Sequence, residues 1–153
     1  MKLLDAIDYE ILSCLKQNSR ENATNIGAKI NLSTSAVIER IRKMENSGLI
    51  KQYTVVIDQS TLGIDLNAFI TVRLEHPKYY ENFVQHIKKY SFIMECYYIA
   101  GDFDFILKVA VDKKNSLEKI LNCIKSINGV SFTRTSVILS ENKNEPCIIP
   151  DNK

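Results

Sequence analysis

The sequence predicts an α+β protein of two small domains, a helix-turn-helix domain followed by a ferredoxin-like βαββαβ domain. Before residue 50, apolar residues recur at helical spacing in three short segments. From residue 66 onward the predicted order becomes strand, helix, strand, strand, helix, strand. We therefore assign residues 1–50 and 66–141 to the two domains and residues 51–65 to a strand and linker. Residues 142–153 form a polar tail, which we expect to be a loosely held arm.

The chain has the composition of a soluble globular protein, with 45% apolar and 25% charged residues among 153. No apolar run reaches the roughly 18 residues that a membrane-spanning helix needs. The N-terminal sequence MKLLDAIDYE meets acidic residues at once and lacks the apolar core of a signal peptide. We therefore expect a cytoplasmic protein with no membrane partner.

The cysteines do not form a metal-binding or disulfide pattern. All four are far apart and none forms a C-x-x-C pair: Cys14, Cys96, Cys123 and Cys147. Cys14 and Cys123 lie in apolar helical patterns, which favours small buried hydrophobes. Since the chain has only two histidines, we predict no metal site and no cofactor, and we expect a protein that is not an enzyme.

The net charge of +2 is too small to indicate a nucleic-acid-binding protein by itself. Its distribution is more informative, because four basic residues lie between Arg40 and Lys51 while Asp5, Asp8 and Glu10 crowd the first helix. The pattern indicates a local basic edge on a nearly neutral domain.

Local signals define the first two helices. Asp5 is a good N-cap, with Asp8 as its reciprocal partner three residues later. The buried stripe of this helix is predicted to be Ile7, Ile11, Leu12 and Leu15. The helix should end near Asn18-Ser19, and a short second helix should span Ala23 to Ile30. Asn31 then interrupts the pattern, and asparagine readily adopts a left-handed turn.

The stretch from residue 32 to residue 50 reads as a third, amphipathic helix. Ser33 is a favourable N-cap, and Gly48 stands where a left-handed residue closes a helix. Three apolar residues recur on one face: Val37, Ile41 and Met44. Considered alone, this segment is equally typical of a solvated surface helix.

The short turn before this helix makes it the second helix of a helix-turn-helix pair, which places its N-terminal half in the DNA major groove. The candidate base-reading residues are Ser33, Thr34, Ser35, Ile38, Glu39 and Arg42. Arginine binds guanine edges or phosphates, hydroxyls bond bases or phosphates, and Ile38 can contact a thymine methyl group. Arg40 and Lys43 are expected either to position the DNA backbone or to pack as amphipathic stems. Glu39 would repel phosphate unless it meets a cytosine amino group or a neighbouring arginine.

Two β-patterned segments follow. The β-branched run KQYTVVID predicts a strand at residues 51–58, and the stretch around Gly63 predicts a linker. From Leu66 to Leu74, apolar and polar residues alternate, as in a half-buried strand.

The remaining elements complete the βαββαβ order. Pro77 stops the preceding strand and favours the start of a helix. Two strands, at residues 92–99 and 103–111, are predicted to be joined by Gly101-Asp102 as a tight turn. A second helix then leads to a last strand at residues 130–139.

One face of the predicted sheet is left without a covering helix. The residues expected there are Phe69, Ile93, Tyr97 and Ile106. They are too apolar to remain in water, and we therefore expect dimerisation through the sheet.

Over nearly its whole length the chain resembles the Lrp/AsnC family of feast/famine transcription regulators. The matching residues are Leu4-Asp5, Asp8, Ile11-Leu12, Arg20, Leu32-Ser33, Ser35, Arg40 to Glu45, Gly48-Leu49-Ile50, Glu95-Cys96, Gly101 to Asp104, Gly129-Val130 and Thr133 to Thr135. There are two departures. Gly27 stands where the family usually has alanine, which keeps the close approach but costs the helix about 1 kcal/mol. Asn31 replaces the usual turn glycine.

The resemblance implies a winged-helix-like domain joined to a RAM-type effector domain. It also implies a transcription regulator that binds double-stranded DNA, forms homodimers that assemble into octamers, and responds to a small-molecule effector of the amino-acid class.

The effector site that the resemblance implies maps onto Gly101, Asp102, Asp104, Thr133, Thr135 and Ser136. An amino acid offers an ammonium group, which a carboxylate such as Asp104 or Asp102 can bind. Its carboxylate suits backbone N–H groups of the glycine turn and the hydroxyls of the strand. The alternative is that Gly101-Asp102 is only a hairpin turn and the threonines only favour strand structure.

Two other functions remain open. Sirohaem decarboxylases resemble this family in fold, but His76 and His86 read more simply as surface residues than as tetrapyrrole-site residues. The other alternative is an architectural protein that compacts DNA without responding to an effector.

Overall fold

The structure is a computed structural model that describes residues 4–150. Residues 1–3 of the predicted helix-turn-helix domain and residues 151–153 of the predicted tail lie outside the described residues. The described chain separates into two compact units, residues 4–56 together with 143–150, and Ile57–Asn142. No helix in residues 4–150 has the length and apolar character needed to cross a membrane.

The first unit contains the three predicted helices, α1 (Ala6–Gln17), α2 (Ala23–Ile30) and α3 (Thr34–Asn46). The predicted capping box of α1 is confirmed, since the Asp8 N–H donates to Asp5 at 2.9 Å and the Asp5 N–H donates to Asp8 at 3.1 Å. Such reciprocal bonds satisfy two backbone donors that the helix itself leaves unpaired.

The turn between α2 and α3 has the predicted left-handed residue. Asn31 has φ 55° and ψ 45°, and Gly48 has φ 74° just beyond α3. Ser33 caps α3 by accepting the Ala36 N–H at 3.3 Å. The helices close over a small core of Ile11, Ile26, Val37 and Met44.

Gly27 is the point of closest approach in this turn. A Cβ atom added to it would lie 2.4 Å from the Leu32 carbonyl oxygen. The Leu32 N–H in turn donates to the Gly27 carbonyl at 2.9 Å, which locks the two residues together. Glycine therefore gives this turn a tighter approach than alanine would allow.

The strand predicted at residues 51–58 is wrong. These residues adopt no regular secondary structure, and a 3₁₀ turn, Gln59–Leu62, follows them. The β-branched run has the propensity of a strand but pairs with none in the described chain, and Val55 and Val56 are 74% and 88% exposed. Propensity alone does not make a strand, because a strand is stabilised by its neighbours.

The second unit has the predicted βαββαβ order. Its elements are β1 (Leu66–Leu74), α4 (Tyr80–Ile87), β2 (Ile93–Tyr98), β3 (Phe105–Val111), α5 (Lys114–Lys125) and β4 (Val130–Val137). The strands form one sheet in the order β2-β3-β1-β4, with every neighbouring pair antiparallel. β2 and β4 are therefore the edge strands.

Alternate residues of the central strands face the two helices. The core of this unit comprises Ala68, Ile70, Val72, Leu74, Phe83, Ile87, Phe105, Leu107, Val109, Val111, Leu117, Ile120, Ile124 and Ile127. This burial confirms that α4 and α5 cover one face of the sheet.

The other sheet face is not covered by either helix of the second unit and carries Phe69, Tyr97 and Ile106, as predicted. The placement of Ile93 on that face is wrong. Ile93 pairs with Val109 and packs on the helix-covered core. The reason is an irregularity in the ladder between Ile93 and Glu95, which shifts the register and reverses the side on which earlier residues point.

The C-terminal tail, which was expected to be a loosely held arm, contacts the first unit. Residues 143–150 group with the first unit although they contain no helix or strand. Within that unit, Lys16 of α1 forms a 2.7 Å ion pair with Glu145.

Candidate DNA-reading helix and effector loop

The N-terminal end of α3 presents the three predicted hydroxyl residues, and all three are exposed. The Ser33 hydroxyl caps the helix and lies 3.2 Å from the Ser35 hydroxyl. The Thr34 hydroxyl donates to Thr24 of α2 at 3.4 Å. The helix therefore offers a row of hydroxyls at its positively polarised end, where backbone N–H groups also favour an anion such as phosphate.

An exposed stripe continues along α3 from Thr34 through Ile38 to Arg42, at intervals of four residues. Residues at this spacing lie on one helix face. Ile38 is 45% exposed, and Arg42 makes no hydrogen bond or ion pair within residues 4–150. This face thus combines an apolar contact surface with an uncommitted guanidinium group.

The charge of Glu39 is matched within the helix. Lys43 forms an i,i+4 ion pair with it, and both side chains remain about two-thirds exposed, at 65% and 66%. The pair partly offsets the repulsion that Glu39 alone would exert on phosphate, through a lysine rather than the arginine considered from the sequence.

Arg40, unlike the other predicted DNA-binding residues, binds the carboxylates at the start of α1. Its Nη1 atom donates to Asp8 at 2.7 Å and to Asp5 at 2.8 and 2.9 Å. These bonds raise the pKa of Arg40, with Asp8 the larger cause, and the bond to Arg40 lowers the pKa of Asp5. Of the two roles predicted for Arg40, the structure favours packing, because the guanidinium already joins α3 to the start of α1.

Tyr53 is a contact of α3 that the sequence did not reveal. Its hydroxyl donates to the Glu45 carboxylate at 2.9 Å. Burial, followed by this hydrogen bond, raises the pKa of Tyr53 to about 12. No sequence signal identifies the pair, because the direction of the chain after Gly48 decides whether the two side chains meet.

The predicted effector loop joins β2 and β3, and it is longer than the two-residue turn expected from Gly101-Asp102. The Ile99 N–H donates to the Asp104 carbonyl at 2.8 Å, so the loop closes across residues 100–103. Gly101 has φ 135°, a conformation that residues with a Cβ rarely adopt.

The two acidic residues of this loop differ in availability. Asp104 is committed to the sheet, since its carboxylate accepts the Leu74 N–H at 2.7 Å and its own N–H donates to the Val72 carbonyl at 2.9 Å. Asp102 is exposed, and its carboxylate makes no hydrogen bond or ion pair with any described residue. Asp102 is therefore the freer carboxylate for an incoming ammonium group.

The three predicted hydroxyl residues of β4 do not share one face. Thr133 pairs with Val72 and Thr135 with Ile70, which puts both on the helix-covered side. Ser136 pairs with Phe69 and lies on the open side. Thr133 is the nearest of them in register to the loop, and Ser136 is the farthest, so the sequence-based set is divided by the alternation of the strand.

The selected effector residues did not include two arginines beside the loop, although Arg134 lies within the stretch that carries the family resemblance. The guanidinium groups of Arg73 and Arg134 lie 5.4 and 5.3 Å from the centre of the Phe103 ring. Arg73 also donates to the Asp102 carbonyl at 2.8 Å. The antiparallel alignment of β1 and β4 brings these cations together on the open face, and alternation along both strands is the signal that would have found them.

Both histidines have local structural roles. His76 Nδ1 accepts the Lys78 N–H at 3.1 Å, and the His86 ring bonds the Asn82 carbonyl at 2.7 Å. Neither arrangement favours the tetrapyrrole-binding alternative.

Two family models match the chain and between them span most of it. The AsnC-type helix-turn-helix domain matches residues 4–45, and the Lrp/AsnC ligand binding domain matches residues 67–148.

Curated relatives match at moderate identity over nearly their full length. The chain is 36% identical over 140 residues to the HTH-type transcriptional regulator FL11 of Pyrococcus horikoshii, covering 92% of each chain. It is 32% identical over 145 residues to the leucine-responsive regulatory protein of Escherichia coli K12, covering 93% of this chain and 88% of the relative. Among solved structures, the transcriptional regulator NMB0573 of Neisseria meningitidis in complex with L-Met matches with a TM-score of 0.92 at 26% identity, covering 98% of each chain.

Proposed function

This chain belongs to the Lrp/AsnC family of transcription regulators, and on that premise we propose how its two units divide the work. The first unit binds double-stranded DNA through α3. The second binds a small effector, an amino acid, at the loop between β2 and β3, and this binding modulates DNA binding or assembly. As a regulator of transcription, the protein acts in the cytoplasm.

The observation that carries the DNA-binding role is the exposed stripe of Thr34, Ile38 and Arg42. An isoleucine left in water on the same face as an uncommitted guanidinium fits a base edge carrying a methyl group next to a guanine or a phosphate. The hydroxyls of Ser33 and Ser35 lie at the same end of the helix and suit phosphate contacts.

Lys43 and Glu39 take a secondary part in this proposal. Their ion pair can open to let Lys43 reach a phosphate, since an exposed i,i+4 pair contributes only about 0.3–0.5 kcal/mol. Arg40 acts indirectly, by holding α3 against α1.

The effector role rests on the chemistry of the loop. Asp102 supplies an uncommitted carboxylate for an ammonium group, and the backbone around Gly101 supplies N–H groups for a carboxylate. Asp104 and Thr133 shape the loop and its neighbouring strand. The Neisseria relative was solved with L-Met, which supports an amino acid as the effector class.

We extend the proposal to assembly as a homodimer through the open face of the sheet, with dimers joining into an octamer as the family resemblance implies. Phe69, Tyr97 and Phe132 are 38%, 55% and 49% exposed there, an unusual concentration of aromatic surface for a monomer. The unpaired segment at residues 51–58 offers further β-prone surface to a partner copy. Size-exclusion chromatography with light scattering tests the assembly directly.

The decisive experiment for DNA binding is fluorescence anisotropy on DNA from the gene's own promoter and on a scrambled duplex, across a salt titration. Arg42→Ala should weaken specific binding about 10-fold to 100-fold, as for loss of one arginine contact to a base. Lys125→Ala, which removes an exposed cation of the second unit, is the matched control and should bind like the parent. Equal affinity for the two duplexes at moderate salt would overturn the proposal of sequence-specific binding.

A further inference from the structure

The second unit contains a cleft of about 530 Å³ that is distinct from the effector loop. Its apolar walls are formed by Ile64, Phe92, Met94, Val111 and Ile120. An open cleft of this size, with mostly apolar walls and a few polar groups at its edge, has room for a small molecule.

Strand register separates this cleft from the effector loop. Phe105 pairs with Tyr98 beside the loop, whereas Ile93 pairs with Val109 near the cleft. Val111, which lines the cleft, lies at the opposite end of β3 from Phe105, about 20 Å along the strand. A ligand in the cleft would therefore not contact the loop.

The polar groups at the mouth leave one charge uncompensated. Asp112 is engaged with Ser116 by a hydrogen bond that lowers the pKa of its carboxyl, and with Lys113 by a 3.7 Å ion pair. Lys119 also lines the cleft, is exposed, and makes no hydrogen bond or ion pair within the described chain. Ser116 and Lys119 lie three residues apart on one face of α5. The mouth thus presents a free ammonium group beside a hydroxyl.

We propose that this cleft binds a small monocarboxylate with an apolar chain and no amino group. The carboxylate pairs with Lys119, and the chain packs against Phe92, Met94 and Ile120. An amino acid fits less well, because the carboxylate that its ammonium group would need, that of Asp112, already has two partners. This second site does not depend on the function proposed for the effector loop.

Occupancy of the cleft would stabilise the segment by which the chain enters the second unit. Gln59 and Ile64 line the cleft, and the Gln59 side chain donates to the Met94 sulfur at 3.6 Å. A ligand touching both walls would therefore slow the opening of residues 57–64, which is measurable by amide hydrogen exchange.

The test uses the full chain and 4-methylpentanoate, with binding measured by calorimetry and protection measured by hydrogen exchange. We expect slower exchange in peptides covering residues 57–64 and 91–95, with residues 99–104 unchanged. Lys119→Glu should weaken binding about tenfold or more, since it replaces an attractive charge by a repulsive one. Lys125→Glu makes the same charge change on α5 outside the cleft and should stay within about twofold of the parent.

A steric variant and two competing ligands complete the design. Ser91→Trp fills the mouth from an exposed position and should abolish binding without touching Lys119. L-leucine has the same carbon chain and carboxylate with an added ammonium group, whereas 4-methylpentylamine has an ammonium group in place of the carboxylate. Both should bind the cleft at least about tenfold more weakly. Protection confined to residues 99–104, equal binding by Lys119→Glu, or no binding of 4-methylpentanoate would each overturn the proposal. It would also be overturned if either amine protected residues 57–64 and 91–95 at a lower concentration than 4-methylpentanoate does.

Discussion

Arg40 of α3 and Asp8 of α1 are joined by a 2.7 Å hydrogen-bonded ion pair, with only 28% and 16% of their side chains exposed. The pair links the start of the first helix to the middle of the third. Arg40 is thus engaged within the first unit, whereas Arg42, two residues later, has no hydrogen-bond or ion-pair partner among residues 4–150, and the contrast between them can be tested.

Arg40→Ala should lower the free energy of unfolding by about 1 kcal/mol, a value discounted for partial exposure. Arg42→Ala should leave the melting temperature unchanged while weakening DNA binding. Thermal unfolding and anisotropy measured on both variants separate the two roles. A stable Arg40→Ala protein with lost DNA affinity would instead assign Arg40 to the DNA contact.

The same cluster predicts a dependence of stability on acid. The pKa of Asp5 is lowered in the folded chain, chiefly by its bond to Arg40. A carboxyl with a lowered pKa contributes stability above its unfolded value, near pH 4, and that contribution is lost as the pH falls through the folded value. Denaturant titrations between about pH 6 and about pH 2.5 should show a smaller loss of unfolding free energy on acidification in Arg40→Ala than in the parent.

Tyr53 predicts a second, alkaline dependence with the opposite sign. Its pKa of about 12 lies above the ordinary value of 10.0, so the neutral phenol is favoured in the folded chain. Its contribution to stability is complete below about pH 10 and is lost as the pH rises toward the folded value. Tyr53→Phe should cost under about 1 kcal/mol at neutral pH. In this variant, the part of the loss of unfolding free energy at high pH that comes from Tyr53 should be absent.

Gly27→Ala should destabilise the first unit by about 1–3 kcal/mol, because the new methyl group would overlap the Leu32 carbonyl, a backbone atom that cannot swing away. The expected gain of about 1 kcal/mol in helix propensity is smaller than this cost. Ala28→Gly, at the next and exposed position, should lose about 1 kcal/mol from propensity alone. A more stable Gly27→Ala protein would show that the turn relaxes readily.

Asp102 and Asp104 should respond differently to substitution by alanine. Asp104→Ala leaves the Leu74 N–H without its acceptor and should cost about 1–3 kcal/mol of stability. Asp102→Ala should leave the melting temperature unchanged but abolish the thermal shift produced by whichever of the twenty amino acids stabilises the parent. If that shift survives in Asp102→Ala, the ammonium group is bound elsewhere.

The features predicted correctly from sequence are those that neighbouring residues determine. Asp5 and Asp8 cap α1, and Asn31 turns left-handed, because each depends on contacts within a few residues. The partner of Arg40 depends on how α1 crosses α3, which no local pattern contains. Ile93 was misplaced because one ladder irregularity reverses an alternation that is otherwise reliable.

The candidate effector residues show the same limit. Thr133, Thr135 and Ser136 were selected as hydroxyl residues of the stretch onto which the family resemblance maps the effector site, but successive strand residues point to opposite faces. Arg73 and Arg134 lie far apart in sequence and meet only through the pairing of β1 with β4. Sorting the residues of both strands by sheet face would have selected them.

Because residues 143–150 return to the first unit, the second unit is inserted within the sequence of the first. The contact of Glu145 with Lys16 closes a long loop. While residues 57–142 are unfolded, closing this loop costs the first unit chain entropy. Once the second unit folds, its two ends are held at a set separation, and the entropy lost on closing the loop becomes smaller. Chain connectivity therefore couples the folding of the two units. A ligand that stabilises the second unit also favours the contact of residues 143–150 with the first unit.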